Sequence, residues 1–398
     1  MKTKLIALSL LCTTLVMATP NDESRASRSL ASIDTTKSLI MDNKYIRVGV
    51  SQDGTFGVGG NTTPGMLHDA NGSANYDTNY DYLTPGSPFE SWVVQYDDNS
   101  TSSSFIEIGS NNSGSNTNSS YIKDSNITAL VYSADRNITS VLHQANIDDK
   151  ILLKQVYTIN TDTQFISVVS TITNTSSVEL TGLKFARGLD PDPDVGEFGD
   201  YNTVNQRGFE SVDESGKITT VPKEDIAFSV GATSGTPVGI YTFSDISHNA
   251  MINSDWSQDP DTILAGDVNN STGDYVISLA FNVGKLAPGE SVDLRYGYMF
   301  GTDMNTSVAK IVEDVEKDSD VSKALDNIDA LSTGWHMVGI DAGITDMTVF
   351  NKANIDLLWS YSQSTGWSIY TNKYSLDENQ SIIDSIAPNE GFWIKKLY

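Results

Sequence analysis

Between Asp190 and Asp200 the chain reads Asp190-Pro-Asp192-Pro-Asp194-Val-Gly-Glu197-Phe-Gly-Asp200, five carboxylates within eleven residues. Carboxylates crowded this closely repel one another, and a hard divalent cation is a common remedy. Calcium takes roughly six to eight oxygen ligands and accepts irregular loops. Asp190, Asp192, Asp194, Glu197 and Asp200 are therefore candidate metal ligands, and Ca2+ is the candidate cofactor. The pattern departs from an EF-hand: glycine falls at the seventh position as Gly196, and Tyr201 stands where the closing bidentate Glu belongs. The alternative is a solvated acidic turn on an acidic protein, with Arg187 as its local counter-charge.

A second acidic loop follows His248, with Asp255, Trp256, Asp259, Asp261 and Asp267. Convergence of the two loops would make a carboxylate-lined cleft in which Trp256 could stack on a sugar ring. Paired carboxylates are the minimum for glycoside chemistry. The ligand-binding candidates are thus Arg187, His248, Asp255, Trp256, Asp259 and, near the C-terminus, Trp367. The other reading is two solvated loops at one end of a sandwich. Four histidines are present, His68, His143, His248 and His336. None forms the H-E-x-x-H or H-x-H spacing of a zinc site, and no G-x-S-x-G elbow occurs. No catalytic residue is assigned, and His68 reads as a loop surface residue.

The elements that must carry these loops are strands. Phe165–Thr173 is dense in β-branched residues, which suit a pleated, half-buried surface. Asn174 to Ser177 supply turn chemistry, and Leu180, Leu183 and Phe185 carry a return strand, so an antiparallel hairpin is expected. The prolines after Asp190 and Asp192 end that strand, because proline lacks the ladder donor. Further strands are expected at 44–50, 90–96, 104–109, 127–133, 140–144, 151–159, 226–230, 238–243, 275–283 and 291–300. So many short strands with turn signals between them predict a large antiparallel sandwich. The apolar period changes at Val308, Ile311, Val312 and Val315, predicting a helix, or a helical pair, over 306–331 with Asn305 or Thr306 as cap. Residues 332–398 hold four of the six tryptophans, Trp335, Trp359, Trp367 and Trp393. A unit this small has little core, and large aromatics fill it efficiently. The tryptophans are therefore expected inside, with Trp367 best placed for exposure.

The succession T-N-T-S at 173–176, F-x-R-x-L-D-P-D at 185–192, G-D-Y-x-I-x-L-A-F at 273–281, L-A-P-G-E-S-V at 286–292 and Y-x-F-G at 298–301 resembles a β domain of large secreted bacterial surface proteins. It is similar to the supersandwich architecture of galactose-mutarotase-like proteins over Asp42 to Gly301. The resemblance implies a histidine and a glutamate on facing strands for mutarotase chemistry; the sequence places no such pair. The segment 332–398 resembles a small tryptophan-rich β module of bacterial exported proteins, opening on Gly334-Trp335 and closing on Gly391-Phe392-Trp393. The expected fold class is all-β: signal peptide 1–18, flexible leader 19–40, β-supersandwich 41–301, helical linker 302–331 and small β domain 332–398.

Lys2 and Lys4, the apolar run Leu5–Val16 and the small-residue site ending at Ala18 form an export signal. The run is too short to span a bilayer. Cleavage removes Cys12, the only cysteine, and with it any disulfide or thiol chemistry. It also moves the net charge from −26 to −28, with 23 basic residues against 51 acidic ones. Such a field repels nucleic acid and anionic lipid. A secreted or cell-surface, periplasmic or extracellular location is expected. Asn-x-Ser/Thr occurs twelve times, and at seven an Asp lies two residues before the Asn, as at Asn71, Asn137, Asn269 and Asn305. That pattern resembles the acidic sequon of the bacterial oligosaccharyltransferase, though a chain rich in Asp, Asn, Ser and Thr makes it freely. The sequence supports an exported, non-enzymatic, calcium-stabilised scaffold with a glycan or cell-surface partner. The alternatives are a carbohydrate-active epimerase or lyase of the supersandwich type and a surface-layer or filament subunit.

Overall fold

The computed structural model describes residues 38–59, 62–86, 88–97, 106–112, 119–132, 137–160, 162–212, 218–312, 331–340, 350, 355–362, 366–371, 381–383, 386 and 390–396. The expected signal peptide, the leader to residue 37 and most of the expected 306–331 helix lie outside them. The chain divides into two units, 1–309 and 310–398. Both are built from strands, as an all-β reading requires.

The first unit holds β1 (Ser38–Asp42), β2 (Ile46–Ser51), β3 (Met66–His68), β4 (Glu90–Asp97), β5 (Ile106–Asn111), β6 (Ile122–Tyr132), β7 (Ile138–Ile147), β8 (Ile151–Thr158), β9 (Phe165–Asn174) and β10 (Leu180–Leu189). Then come β11 (Thr203–Arg207), β12 (Phe209–Val212), β13 (Ile218–Val221), β14 (Ile226–Gly231), β15 (Pro237–Tyr241), β16 (His248–Asn253), β17 (Asn270–Gly273), β18 (Val276–Leu286) and β19 (Ser291–Phe300). A twelve-stranded sheet runs β17-β11-β14-β15-β19-β9-β8-β7-β1-β2-β3, with β6 also on β7. A five-stranded sheet runs β16-β18-β10-β4-β5.

The two sheets share one core, the sandwich solution for burying one face of each. Tyr296 of the large sheet packs at 6.1 Å against both Phe185 and Phe281 of the small one. In β8 the burial strictly alternates, whereas β10 is buried along nearly its whole length. The difference follows from cover: β8 has one covered face, whereas Ile263 of the short helix Pro260–Ala265 packs on Ala186 of β10 and Ala280 of β18 over the other face of the smaller sheet.

The expected hairpin of 165–185 is not one. Strand β9 pairs with β8 and β19 in the large sheet, while β10 pairs with β4 and β18 in the small one. The turn between them crosses from sheet to sheet. Asn174, fully buried, holds it by donating to Val178 O and Leu286 O, both at 2.8 Å, while Ser176 N donates to its Oδ1 at 2.9 Å.

A helix begins at 304 and is described to 312. Its cap is Asp303, not Asn305 or Thr306: Thr306 N donates to Asp303 Oδ1 at 2.9 Å and Thr306 Oγ1 to Oδ2 at 2.8 Å. The second unit contains β20 (Gly334–Ile340), β21 (Ile355–Ser362), β22 (Gly366–Tyr370), β23 (Ser381–Ile382) and β24 (Glu390–Lys396), ordered β20-β24-β21-β22-β23.

Candidate functional site

Register places the acidic loop at one end of the five-stranded sheet. Leu189, the last residue of β10, sits opposite Glu90, the first of β4, and opposite Ile277 near the start of β18. Asn253 closes β16 opposite Val276. The segments entering β4 and β18 and leaving β10 and β16 therefore gather along one edge. Asp190 N donates to Phe89 O at 2.8 Å and Asp192 N to Tyr82 O at 2.9 Å, which fixes the loop against the approach to β4. Asp274, between β17 and β18, completes a group: one oxygen from each of Asp190, Asp192 and Asp274 lies within 4.8 Å of the others. Asp190 and Asp192 are each only 2 % exposed, while Asp274 opens to solvent. Asp190 Oδ1 is buried and, among the described residues, has no hydrogen-bond donor. Burial, and then the charge of Asp274, push the Asp190 carboxyl up to about 8. Trp256 belongs to the same end, edge-on to Phe89 at 5.4 Å between ring centroids. Its φ of 56° is unusual for a bulky residue.

The remaining expected ligands are drawn to other tasks. Asp194 Oδ2 accepts Thr233 N at 2.7 Å, and both its oxygens accept Ser234 N at 3.2 Å. A side chain at Gly231 would meet the Asp194 carboxylate at 2.4 Å, so that contact demands glycine. Glu197 is exposed on the one-turn helix Val195–Phe198. Asp200 is held low, mainly by the backbone N–H of Asn202, and accepts Thr233 Oγ1 at 3.0 Å. Asp259 caps the short helix Pro260–Ala265 through Asp261 N and Thr262 N, and Asp255 is exposed.

His248 and Arg187 do not join the loop. His248 opens β16 and Asn253 ends it, a separation of about 17 Å at ~3.4 Å per residue. There His248 Nε2 meets Asp225 Oδ1 at 2.9 Å. Arg187 points into the core, not toward solvent: its Nη2 lies 2.6 Å from Glu90 Oε1, with both side chains fully buried. Tyr298 Oη donates to Glu90 Oε1 at 2.9 Å and Phe56 N to Oε2 at 2.9 Å. Arg187 Nη1 donates to Gly54 O at 3.3 Å and Tyr157 Oη at 3.2 Å. The sequence offered no signal for this network beyond a Glu opening one strand and an Arg inside another.

The implied histidine–glutamate pair finds no open counterpart in Glu90 and His143, which lie on opposite sheets and are both sealed from solvent. Burial lowers His143 to about 4. His68, expected on the surface, is buried between Tyr82 Oη at 3.2 Å and Gln164 Oε1 at 2.8 Å.

In the second unit Trp367 is exposed as expected, whereas Trp335 and Trp393, expected inside, are exposed too. Residues directly opposite in an antiparallel pair share a face, as do residues two apart along a strand. Met337 is opposite Trp393, Trp393 opposite Trp359, and Tyr361 opposite Trp367. One face of the sheet thus carries Trp335, Met337, Trp393, Trp359, Tyr361 and Trp367. Five are well exposed: Trp335 51 %, Met337 70 %, Tyr361 57 %, Trp367 54 % and Trp393 41 %. The opposite face supplies the core through Leu358, Phe392 and Ile394, and Phe350 packs on Phe392 at 5.7 Å. Trp367 is braced edge-on by Trp359 at 5.9 Å and in a tilted contact by Tyr361 at 5.2 Å.

No protein family and no curated protein matches this chain. Among solved structures it is similar to a galactose mutarotase-like protein from Lactobacillus casei, at 12 % identity and a TM-score of 0.34, over 66 % of this chain and 99 % of that one. A protein from Synechocystis matches at 9 % identity and a TM-score of 0.35, over 68 % and 98 %. A heparan sulfate lyase from Pedobacter heparinus matches at 4 % identity and a TM-score of 0.26, over 44 % of this chain; the chain spans 22 % of the lyase's length.

Proposed function

We propose that this chain is an exported, non-enzymatic carbohydrate-binding protein in which the sandwich is a scaffold and the C-terminal sheet is the binding face. The aromatic face of β20, β24, β21 and β22 supports this reading. Contiguous exposed apolar patches of this kind mark interaction surfaces. Flat rings standing on a sheet suit the C–H faces of pyranose rings, and aromatic anchors supply large contact area with few torsions to freeze. Trp367, held by Trp359 and Tyr361, is pre-organised for such stacking. The enzymatic alternative required His248, Asp255 and an aspartate of the 190 loop around one small ligand, and the length of β16 separates them.

Binding of the purified chain to a polysaccharide panel, by affinity electrophoresis and a glycan array, tests the proposal. Trp367→Ala and Trp393→Ala should each weaken retention by about tenfold or more, the equivalent of ~1.4 kcal/mol. Absence of any glycan ligand, or turnover of a sugar by the chain, would defeat it.

A further inference from the structure

We propose that Asp190, Asp192 and Asp274 form a calcium site at the end of the five-stranded sheet. Two observations carry it. Their oxygens lie within 4.8 Å of one another. Two ligands of one calcium, each at roughly 2.3–2.6 Å, stand at most about 5 Å apart, and calcium accepts an irregular carboxylate set where magnesium sheds its water reluctantly. Independently, Asp190 is 2 % exposed and its Oδ1 has no donor in reach among the described residues. A buried carboxylate oxygen left without a partner is costly, and native proteins rarely leave one so. A cation supplies that partner.

Three segments hold the group from their backbones, so it is assembled before any ion arrives. Asp190 N is tied to Phe89 O and Asp192 N to Tyr82 O. Beside Asp274, Gly273 O accepts Thr203 Oγ1 at 2.9 Å and Asn205 Nδ2 at 3.3 Å. Two ligands form a buried floor and Asp274 an exposed lip, which leaves an entry path. The site is independent of glycan binding at the C-terminal sheet, and either can fail alone.

The test uses the full mature chain after exhaustive chelation, with calcium chloride or magnesium chloride added at matched ionic strength. One equivalent of calcium should bind by calorimetry, and at saturation the melting temperature should rise by about 5 °C. Asp274→Asn, at the exposed lip, should fold normally and weaken calcium at least about tenfold. Asp190→Asn keeps the shape of the side chain but removes a carboxylate ligand from the buried floor, and it should lose the calcium response. No calcium response, an equal response from magnesium, or a response unchanged in both variants overturns the proposal.

Discussion

Arg187 and Glu90 face each other in a place no solvent reaches, with Tyr298, Tyr157, Phe56 and Gly54 satisfying their remaining polar atoms. Removing one partner of such a pair leaves an uncompensated buried charge. Arg187→Met is expected to cost roughly 3–5 kcal/mol in urea unfolding, and the double variant with Glu90→Gln should recover part of that loss. His143 permits a second test at this scale. Its folded pKa of about 4 lies below the ordinary value of 6.5, so the unfolded chain takes up the proton first as pH falls. Stability from this group is present above pH 6.5 and declines toward pH 4. Asp53 and Arg187 are the charged groups that act on it. Between pH 7 and 4.5 the wild type should lose about 2–3 kcal/mol more than His143→Gln, read from urea midpoints at both pH values.

At the scale of the element, adjacent residues of β24 play opposite parts. Phe392 is fully buried and Trp393 is 41 % exposed. Phe392→Ala should destabilise the C-terminal unit by roughly 3–5 kcal/mol, while Trp393→Ala should change its melting by less than about 1 kcal/mol despite weakening glycan binding. Thermal scans of both variants check this; similar losses would mean that the tryptophan is core. The closing Gly391-Phe392-Trp393 was legible in the sequence as part of a tryptophan-rich β module. Which of the two adjacent rings faced inward was not, since both are large and apolar. The same limit applies to β9 and β10. Both read as strands with a polar turn between them, yet period two says which residues share a face and nothing about which sheet the strand joins.

For the whole molecule, the excess of acid is the governing property. A net charge of −26 opposes compaction through self-repulsion, and salt screens it. Sodium chloride should therefore raise the melting temperature of the wild type and of Asp274→Asn alike, while calcium at matched ionic strength should raise the wild type at lower concentration than Asp274→Asn. Scans in the two salts separate screening from site binding. The β class and the position of Ser291–Phe300 were legible because β-branched and aromatic residues alternate between turn signals. Among the described residues no helix is long and apolar enough to cross a membrane.

The sequence by itself determined that carboxylates would crowd after Phe185–Leu189, because the prolines stop the strand and the acids follow at once. Only the tertiary structure decided which of them meet. Asp194, Asp200 and Asp259 were claimed by nearby N–H and hydroxyl donors, and Asp274 came in from the far side of the unit because β18 lies against β10. Local composition sets what a segment can form. Packing between segments distant in the chain sets what its side chains face, and that pairing is written in the sheet order.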